Sequence, residues 1–144
     1  MTILTHSESE TAGAGRELAA ALGPGSVVLL YGDLGAGKTA FVRGLAEGLG
    51  VPAEEVSSPT FALMQEYRGG RVPLVHVDLY RLDDPREIDD LGLEEAGQAC
   101  VLAIEWAEKL PRLVSGAIHV RIDHARGDTR TVSVTRSGSS ALPS

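Results

Sequence analysis

The chain has 144 residues, a formal net charge of −7 and 43% hydrophobic residues. This length predicts a single domain that buries roughly two thirds of the surface of its unfolded chain. The negative charge argues against a large electrostatic nucleic-acid interface, and no apolar run approaches the roughly 20 residues that cross a bilayer.

The first residues of the chain and its cysteine content indicate where in the cell the protein is found. Residues 1–6 have neither a basic start nor a long apolar core, so they do not indicate a signal peptide. The sole cysteine, Cys100, lies in an apolar run and predicts a buried core thiol in a reducing environment. We therefore expect a cytoplasmic protein that does not associate with membranes.

The first half of the chain predicts a helix, a strand and a second helix. Ser7 and Glu10 have the spacing of a capping box, and the alanines and leucines after them predict a helix over residues 7–22. An apolar run at Val27–Tyr31 predicts a strand. Apolar residues then recur at helical spacing over Lys38–Leu49, and Gly50 closes that helix.

Between this strand and the second helix lies a glycine-rich stretch that fits G-x-x-x-x-G-K-[ST]: Gly32, Asp33, Leu34, Gly35, Ala36, Gly37, Lys38 and Thr39. Glycines let a polyphosphate approach the backbone closely, and the N–H groups of such a loop then point at the anion. Lys38 would lie along the β- and γ-phosphates, and Thr39 would give its hydroxyl to Mg²⁺. Because strand, loop and helix all stand in the required order, we favour a phosphate-binding loop over a simple glycine turn.

The second half of the chain predicts further strands. Strands over residues 61–68 and Leu74–Asp78 flank two glycines and predict an antiparallel hairpin. Pro85 begins a predicted helix that runs to about residue 95. The apolar run 100–104 is typical of a strand covered on both faces. Alternating residues at 118–122 and 131–135 predict a second hairpin around Gly127.

These elements predict an α/β fold consisting of a single P-loop NTPase-like domain over residues 1–136. Its sheet would be mixed and mostly parallel, flanked by helices and extended by antiparallel hairpins. Residues 137–144 are small and polar, which predicts a disordered tail.

Two predicted strands end in a carboxylate. Asp78 and Glu105 each follow an apolar run, at the edge where open α/β sheets bind ligands. Hydrolysis of a nucleotide needs an acid for Mg²⁺ and a group that positions water, and either residue could be the metal acid.

Three further residues are candidates with a plain structural alternative. Thr60 could reach the γ-phosphate, or it could simply begin a strand. Trp106 could cover the site, although a large aromatic residue at a strand end is more often packing. For His76 we favour a packed or hydrogen-bonded strand histidine over a metal ligand, because no second histidine or cysteine stands near it.

Four motifs in this order resemble the TsaE (YjeE) family of small bacterial P-loop ATPases: the phosphate loop, Ser58-Pro59-Thr60-Phe61, His76-Val77-Asp78-Leu79-Tyr80-Arg81-Leu82 and Glu105-Trp106. The resemblance covers about residues 7–136. It implies ATP binding and slow hydrolysis with Mg²⁺, in threonylcarbamoyladenosine modification of adenosine 37 of tRNAs that read ANN codons. The partners it implies are the TsaD and TsaB proteins, with any contact to tRNA being indirect.

The resemblance also implies site residues. The loop and the start of its helix would contact the nucleotide through Gly32, Asp33, Leu34, Gly35, Ala36, Gly37, Lys38, Thr39 and Ala40. Thr39 and Glu105 would bind Mg²⁺. Asp78 would polarise the attacking water, and Lys38 and Thr60 would be further catalytic residues. The residues near the rest of the nucleotide would be Glu8, Thr11, Trp106 and Arg130. Many relatives have a second threonine where this chain has Ala40, so no hydroxyl can act there.

Two other functions stay open. A small-molecule kinase could use the same loop, although little chain remains for an acceptor site. Alternatively, the chain could be a nucleotide-dependent interaction module without essential turnover, which the acidic segment between Asp83 and Glu95 favours.

Overall fold

The computed structural model describes residues 1–32, 37–52, 64–111, 114 and 116–136. The strands in these ranges are β1 (Thr2–Thr5), β2 (Val27–Tyr31), β3 (Met64–Tyr67), β4 (Leu74–Asp78), β5 (Val101–Glu105), β6 (Ile118–Arg126) and β7 (Thr129–Arg136). The helices are α1 (Glu8–Ala19), α2 (Lys38–Leu49), α3 (Pro85–Asp89) and α4 (Leu93–Ala96). None of the helices in the described ranges is long and apolar enough to span a bilayer.

The strands form one sheet in the order β1-β7-β6-β2-β5-β4-β3. Its centre is parallel, because β2 pairs with β5 and β6, and β5 pairs with β4. The outer pairs β3–β4, β6–β7 and β1–β7 are antiparallel. The carboxyl ends of β2, β4 and β5 therefore meet at one edge of the sheet, and the predicted mixed sheet with two hairpins is confirmed.

The two faces of the sheet have different covers. On one face, α1 and α2 pack over side chains such as Leu30, Val101 and Val120. On the other face, α3 and the segments after it cover Leu29, Val77 and Ile104. Because side chains alternate along a strand, every second residue of β4 and of β5 faces α2.

Helices α1 and α2 approach each other through glycines. A Cβ added to Gly44 would lie 1.7 Å from the carbonyl oxygen of Ala12, and one added to Gly15 would lie 2.2 Å from that of Phe41. Backbone therefore meets backbone at this interface, which leaves no room for a side chain. This contact holds the phosphate-loop helix against α1.

The structure differs from the prediction at three elements. The single helix from Pro85 to about residue 95 is wrong: α3 ends at Asp89 and α4 begins at Leu93, because Gly92 between them has a left-handed φ of 67°. The first helix ends at Ala19 rather than residue 22. Strand β1 was not predicted, since its pairing partner lies at the far end of the chain.

Other predicted elements agree with the structure. Strand β2 and helix α2 have the predicted bounds, and the amide of Glu10 donates to the Ser7 side chain as a capping box requires. The carboxylate of Glu10 accepts from the backbone N–H of His6 instead of that of Ser7. Residues 61–63 of the third predicted strand and the predicted tail at 137–144 lie outside the described residues.

Candidate functional site

Strand β2 runs into Gly32, whose geometry admits only glycine. Its φ is 134°, and a Cβ there would lie 2.0 Å from the carbonyl oxygen of Ile122. Gly37, with a φ of 109°, caps the N-terminus of α2 without a side-chain hydrogen bond. The predicted loop residues between them, Asp33, Leu34, Gly35 and Ala36, lie outside the described residues.

Lys38 is almost completely buried at the first turn of α2, with 3% of its surface exposed. Its ammonium group donates to the carbonyl oxygen of Gly32 and lies 3.8 Å from the centre of the Trp106 ring. The lysine is thus held between the end of β2 and the residue after β5. A fixed positive charge at the N-terminus of a helix favours an anion.

Thr39 and Glu105 meet beside this lysine. The Thr39 hydroxyl donates to Oε2 of Glu105 at 3.1 Å, and Glu105 is only 3% exposed at the carboxyl end of β5. The same Oε2 accepts from Nε2 of His76 at 2.6 Å. His76 is therefore a hydrogen-bonded strand histidine, as predicted, although its carboxylate partner was not predicted.

Asp78 is the register partner of Glu105 across β4 and β5, so the two predicted strand-end acids are neighbours. Burial raises the pKa of the Asp78 carboxyl, and the nearby negative charge of Glu105 raises it further. The backbone N–H of Tyr80, which donates to Asp78 at 2.9 Å, acts in the opposite direction. Of the two acids, Glu105 is the one whose oxygen accepts from the Thr39 hydroxyl.

Trp106 has a φ of 61°, the left-handed region, and is the one non-glycine residue with positive φ among the described residues. Its ring packs against Tyr80, with the ring centres 5.1 Å apart, while it also faces Lys38. Such a backbone conformation is costly for a bulky residue and is typical of functional sites. Tyr80 was not predicted as a site residue, although it lies two residues after Asp78 in the motif that begins at His76.

A cavity of about 360 Å³ lies beside Gly37. It is lined by residues of the β1–α1 connection, the start of α1, Gly37, the β6–β7 turn and the start of β7, namely His6, Ser7, Glu8, Thr11, Gly37, Asp128 and Arg130. The predicted residues Glu8, Thr11 and Arg130 thus come together next to the loop, from opposite ends of the chain. His6 and Ser7 were not predicted as site residues, and only the pairing of β1 with β7 brings them here.

Two further residues were predicted at this site. Ala40 is buried in the first turn of α2, with 6% of its surface exposed. Thr60 lies outside the described residues. The site therefore contains a lysine, a hydroxyl, two carboxylates and a helix N-terminus at one edge of the parallel part of the sheet.

The oxygen atoms of Thr39 and Glu105 fit a magnesium ion. Mg²⁺ prefers oxygen ligands and usually takes one or two carboxylates together with substrate phosphates, not a cage made only of protein. The described residues include no cluster of three or more His, Cys, Asp or Glu side chains that could hold a metal. A buried hydroxyl–carboxylate pair beside a phosphate-type loop matches that donor set.

The fold and this site together define a P-loop NTPase-like protein. A crystal structure of YdiB from Bacillus subtilis superimposes on it with a TM-score of 0.77 and 36% identity, covering 96% of this chain and 86% of YdiB. The family model for "Threonylcarbamoyl adenosine biosynthesis protein TsaE" matches residues 5–132. The chain belongs to the TsaE family.

Curated relatives agree with this family. The protein named tRNA threonylcarbamoyladenosine biosynthesis protein TsaE from Bacillus subtilis is 42% identical over 93% of this chain and 84% of its own length. The protein of the same name from Streptomyces coelicolor is 46% identical over 86% of this chain and 88% of its own length. That from Nostoc sp. is 45% identical over 77% of this chain and 70% of its own length.

Proposed function

We propose that this protein is a Mg²⁺-dependent ATPase that acts in threonylcarbamoyladenosine modification of adenosine 37 of tRNAs that read ANN codons. The observation that carries the proposal is the contact of the Thr39 hydroxyl with the buried Glu105 carboxylate, directly beside Lys38. The family supports the role in tRNA modification. The arrangement of loop, lysine, hydroxyl and acid supports a nucleoside triphosphate with its metal.

Each residue has a role in this proposal. Lys38 and the first turn of α2 bind the phosphates, together with the loop residues from Gly32 to Gly37. Thr39 and Glu105 hold Mg²⁺, which when bound neutralises phosphate charge. Glu8, Thr11, Trp106 and Arg130 surround the rest of the nucleotide.

Asp78 is the proposed residue that polarises the attacking water. Its carboxylate lies next to Glu105 in the sheet and has a raised pKa because of burial, which makes it a better proton acceptor than an exposed aspartate. Thr60 is proposed to sense the γ-phosphate, by resemblance to the family alone.

The proposed partners are the TsaD and TsaB proteins, and we place this reaction in the cytoplasm. The net charge of −7 favours contact with tRNA through the partners over direct binding. Hydrolysis would then reset the complex, as the loss of a γ-phosphate resets other nucleotide switches.

The test is phosphate release from ATP with Mg²⁺, measured for the protein alone and with purified TsaD–TsaB complex. We expect slow release that rises with the complex and is lost in Lys38→Ala and Glu105→Gln. Glu17→Gln, which makes the same change at an exposed position of α1, is the matched control and should behave as wild type. A rate of phosphate release that changes neither with the TsaD–TsaB complex nor with Glu105→Gln would refute the proposal.

An interaction module without essential turnover is the second candidate, favoured by the acidic residues on and around α3 and α4. Arg86, the one cation between Asp83 and Glu95, is already bonded to Asp84. If Glu105→Gln abolished hydrolysis but still supported tRNA modification in the reconstituted system, the function as an interaction module would be favoured over the function as an ATPase. Phosphate transfer to a small acceptor would instead indicate a kinase.

A further inference from the structure

His76 is a polar residue in an otherwise apolar part of β4. The residues before and after it, Val75 and Val77, are buried, and His76 itself has no exposed surface. An apolar side chain here would pack without loss of hydration, whereas a buried imidazole must recover the cost of leaving water through its hydrogen bonds. The position of a histidine here therefore calls for a reason other than packing.

The hydrogen bonds of His76 point to that reason. Nε2 lies 2.6 Å from Oε2 of Glu105, whereas Nδ1 is buried and has no hydrogen-bond partner among the described residues. Because a carboxylate accepts hydrogen bonds, Nε2 of His76 is the donor in this contact. The one hydrogen bond found for the imidazole is thus given to the carboxylate next to Thr39.

Oε2 of Glu105 receives donors from two different elements. His76 reaches it from β4, and the Thr39 hydroxyl reaches it from α2. The Thr39 hydroxyl would bind a metal ion through an oxygen lone pair, which leaves its hydrogen available to donate to this oxygen. The imidazole is the donor that does not itself bind the ion, and it lies on β4, which is paired with a strand on each side.

We propose that His76 is the positioning residue for Glu105 and that it orients this carboxylate for a nucleotide-bound divalent cation. The inference rests on the proposed function of Glu105 as the metal acid. His76 contacts neither phosphate nor metal in this role and acts through the carboxylate. Hydrogen-bond partners of metal-binding carboxylates commonly set metal affinity in this manner.

The test uses Mn²⁺ in place of Mg²⁺ and follows free Mn²⁺ by electron paramagnetic resonance in the presence of ADP and the full-length protein. His76→Leu removes the donor. His76→Gln carries an amide N–H to nearly the position of Nε2, whereas His76→Asn carries the same group one bond short of it. We expect Mn²⁺ affinity to fall about 10- to 100-fold in His76→Leu and His76→Asn and to stay near wild type in His76→Gln.

Two controls separate positioning from packing. ADP binding without any divalent cation should be the same in all variants, because the phosphates are held by the loop and Lys38. In the Glu105→Gln background, His76→Leu should cause no further loss of Mn²⁺ affinity, since the group through which it acts is altered. If His76→Leu does not fold, the comparison of His76→Gln with His76→Asn still decides.

The possible results distinguish this inference from the proposed function. Equal Mn²⁺ affinity in wild type, His76→Asn and His76→Leu would overturn the inference alone. Equal losses in His76→Gln and His76→Asn, or a parallel loss of metal-free ADP binding, would also overturn it in favour of a packing role. Wild-type protein that binds no Mn²⁺ with ADP would overturn the proposed function itself.

Discussion

Replacing Gly44 by alanine is expected to lower the free energy of unfolding by about 3 kcal/mol, at the upper end of the usual cost of overpacking. The added Cβ would lie 1.7 Å from the carbonyl oxygen of Ala12, and real Cβ atoms hardly ever come within 3.0 Å of such an atom. Because the obstacle is backbone and cannot rotate away, α1 and α2 must separate by more than about 1 Å. That separation also opens the close contacts at Gly15 and Gly48.

Urea unfolding, followed by circular dichroism, measures this effect. With a slope of about 1–3 kcal/mol per molar urea, the midpoint should fall by about 1–3 M. Gly13→Ala is the matched control, because the nearest atom to its new Cβ is the end of the flexible Arg16 side chain at 3.5 Å. It should stabilise the protein by about 0.5–1 kcal/mol through helix propensity. A Gly44→Ala midpoint equal to that of wild type would refute the packing argument.

Two predictions follow from groups whose pKa is raised. Burial raises the pKa of Asp78, so the folded protein binds this proton more tightly than the unfolded chain, and stability falls as pH rises from the ordinary carboxyl value to the raised one. Asp78→Asn should therefore have a higher thermal midpoint than wild type at neutral pH, and this difference in midpoint should vanish toward about pH 4. A difference in midpoint that grows on acidification would contradict this. Burial also raises the pKa of the Cys100 thiol, which donates to the carbonyl oxygen of Ala96, so a disulfide reagent should modify it only as the protein unfolds in urea. Rapid stoichiometric labelling of the folded protein would show that this thiol is accessible.

The sequence predicted the elements whose signals are local. The bounds of β2 and α2 follow from an apolar run, a glycine loop and a helical repeat, which are adjacent in the chain. The helix after Pro85 was predicted too long, because its break depends on the left-handed φ of Gly92. A glycine in a helical pattern predicts such a break only weakly, since it also occurs within helices, as Gly44 does.

Strand β1 shows the opposite case. Most of its residues are exposed, so it has little of the alternation that marks a half-buried strand. Its hydrogen bonds go to β7, more than 100 residues away, and a strand of this kind exists only once its partner is in place. The same pairing brings Glu8 and Arg130 to one cavity.

The sequence by itself predicted a phosphate loop and determined the two strand-end acids and the class of fold, because each depends on residues that are neighbours in the chain. Only the tertiary structure decided which acid meets Thr39 and what holds that acid. The parallel pairing of β4 with β5 and the packing of α2 on their shared face bring His76, Glu105 and Thr39 within hydrogen-bond distance. Those contacts join three elements that are far apart in sequence, so no local pattern encodes them.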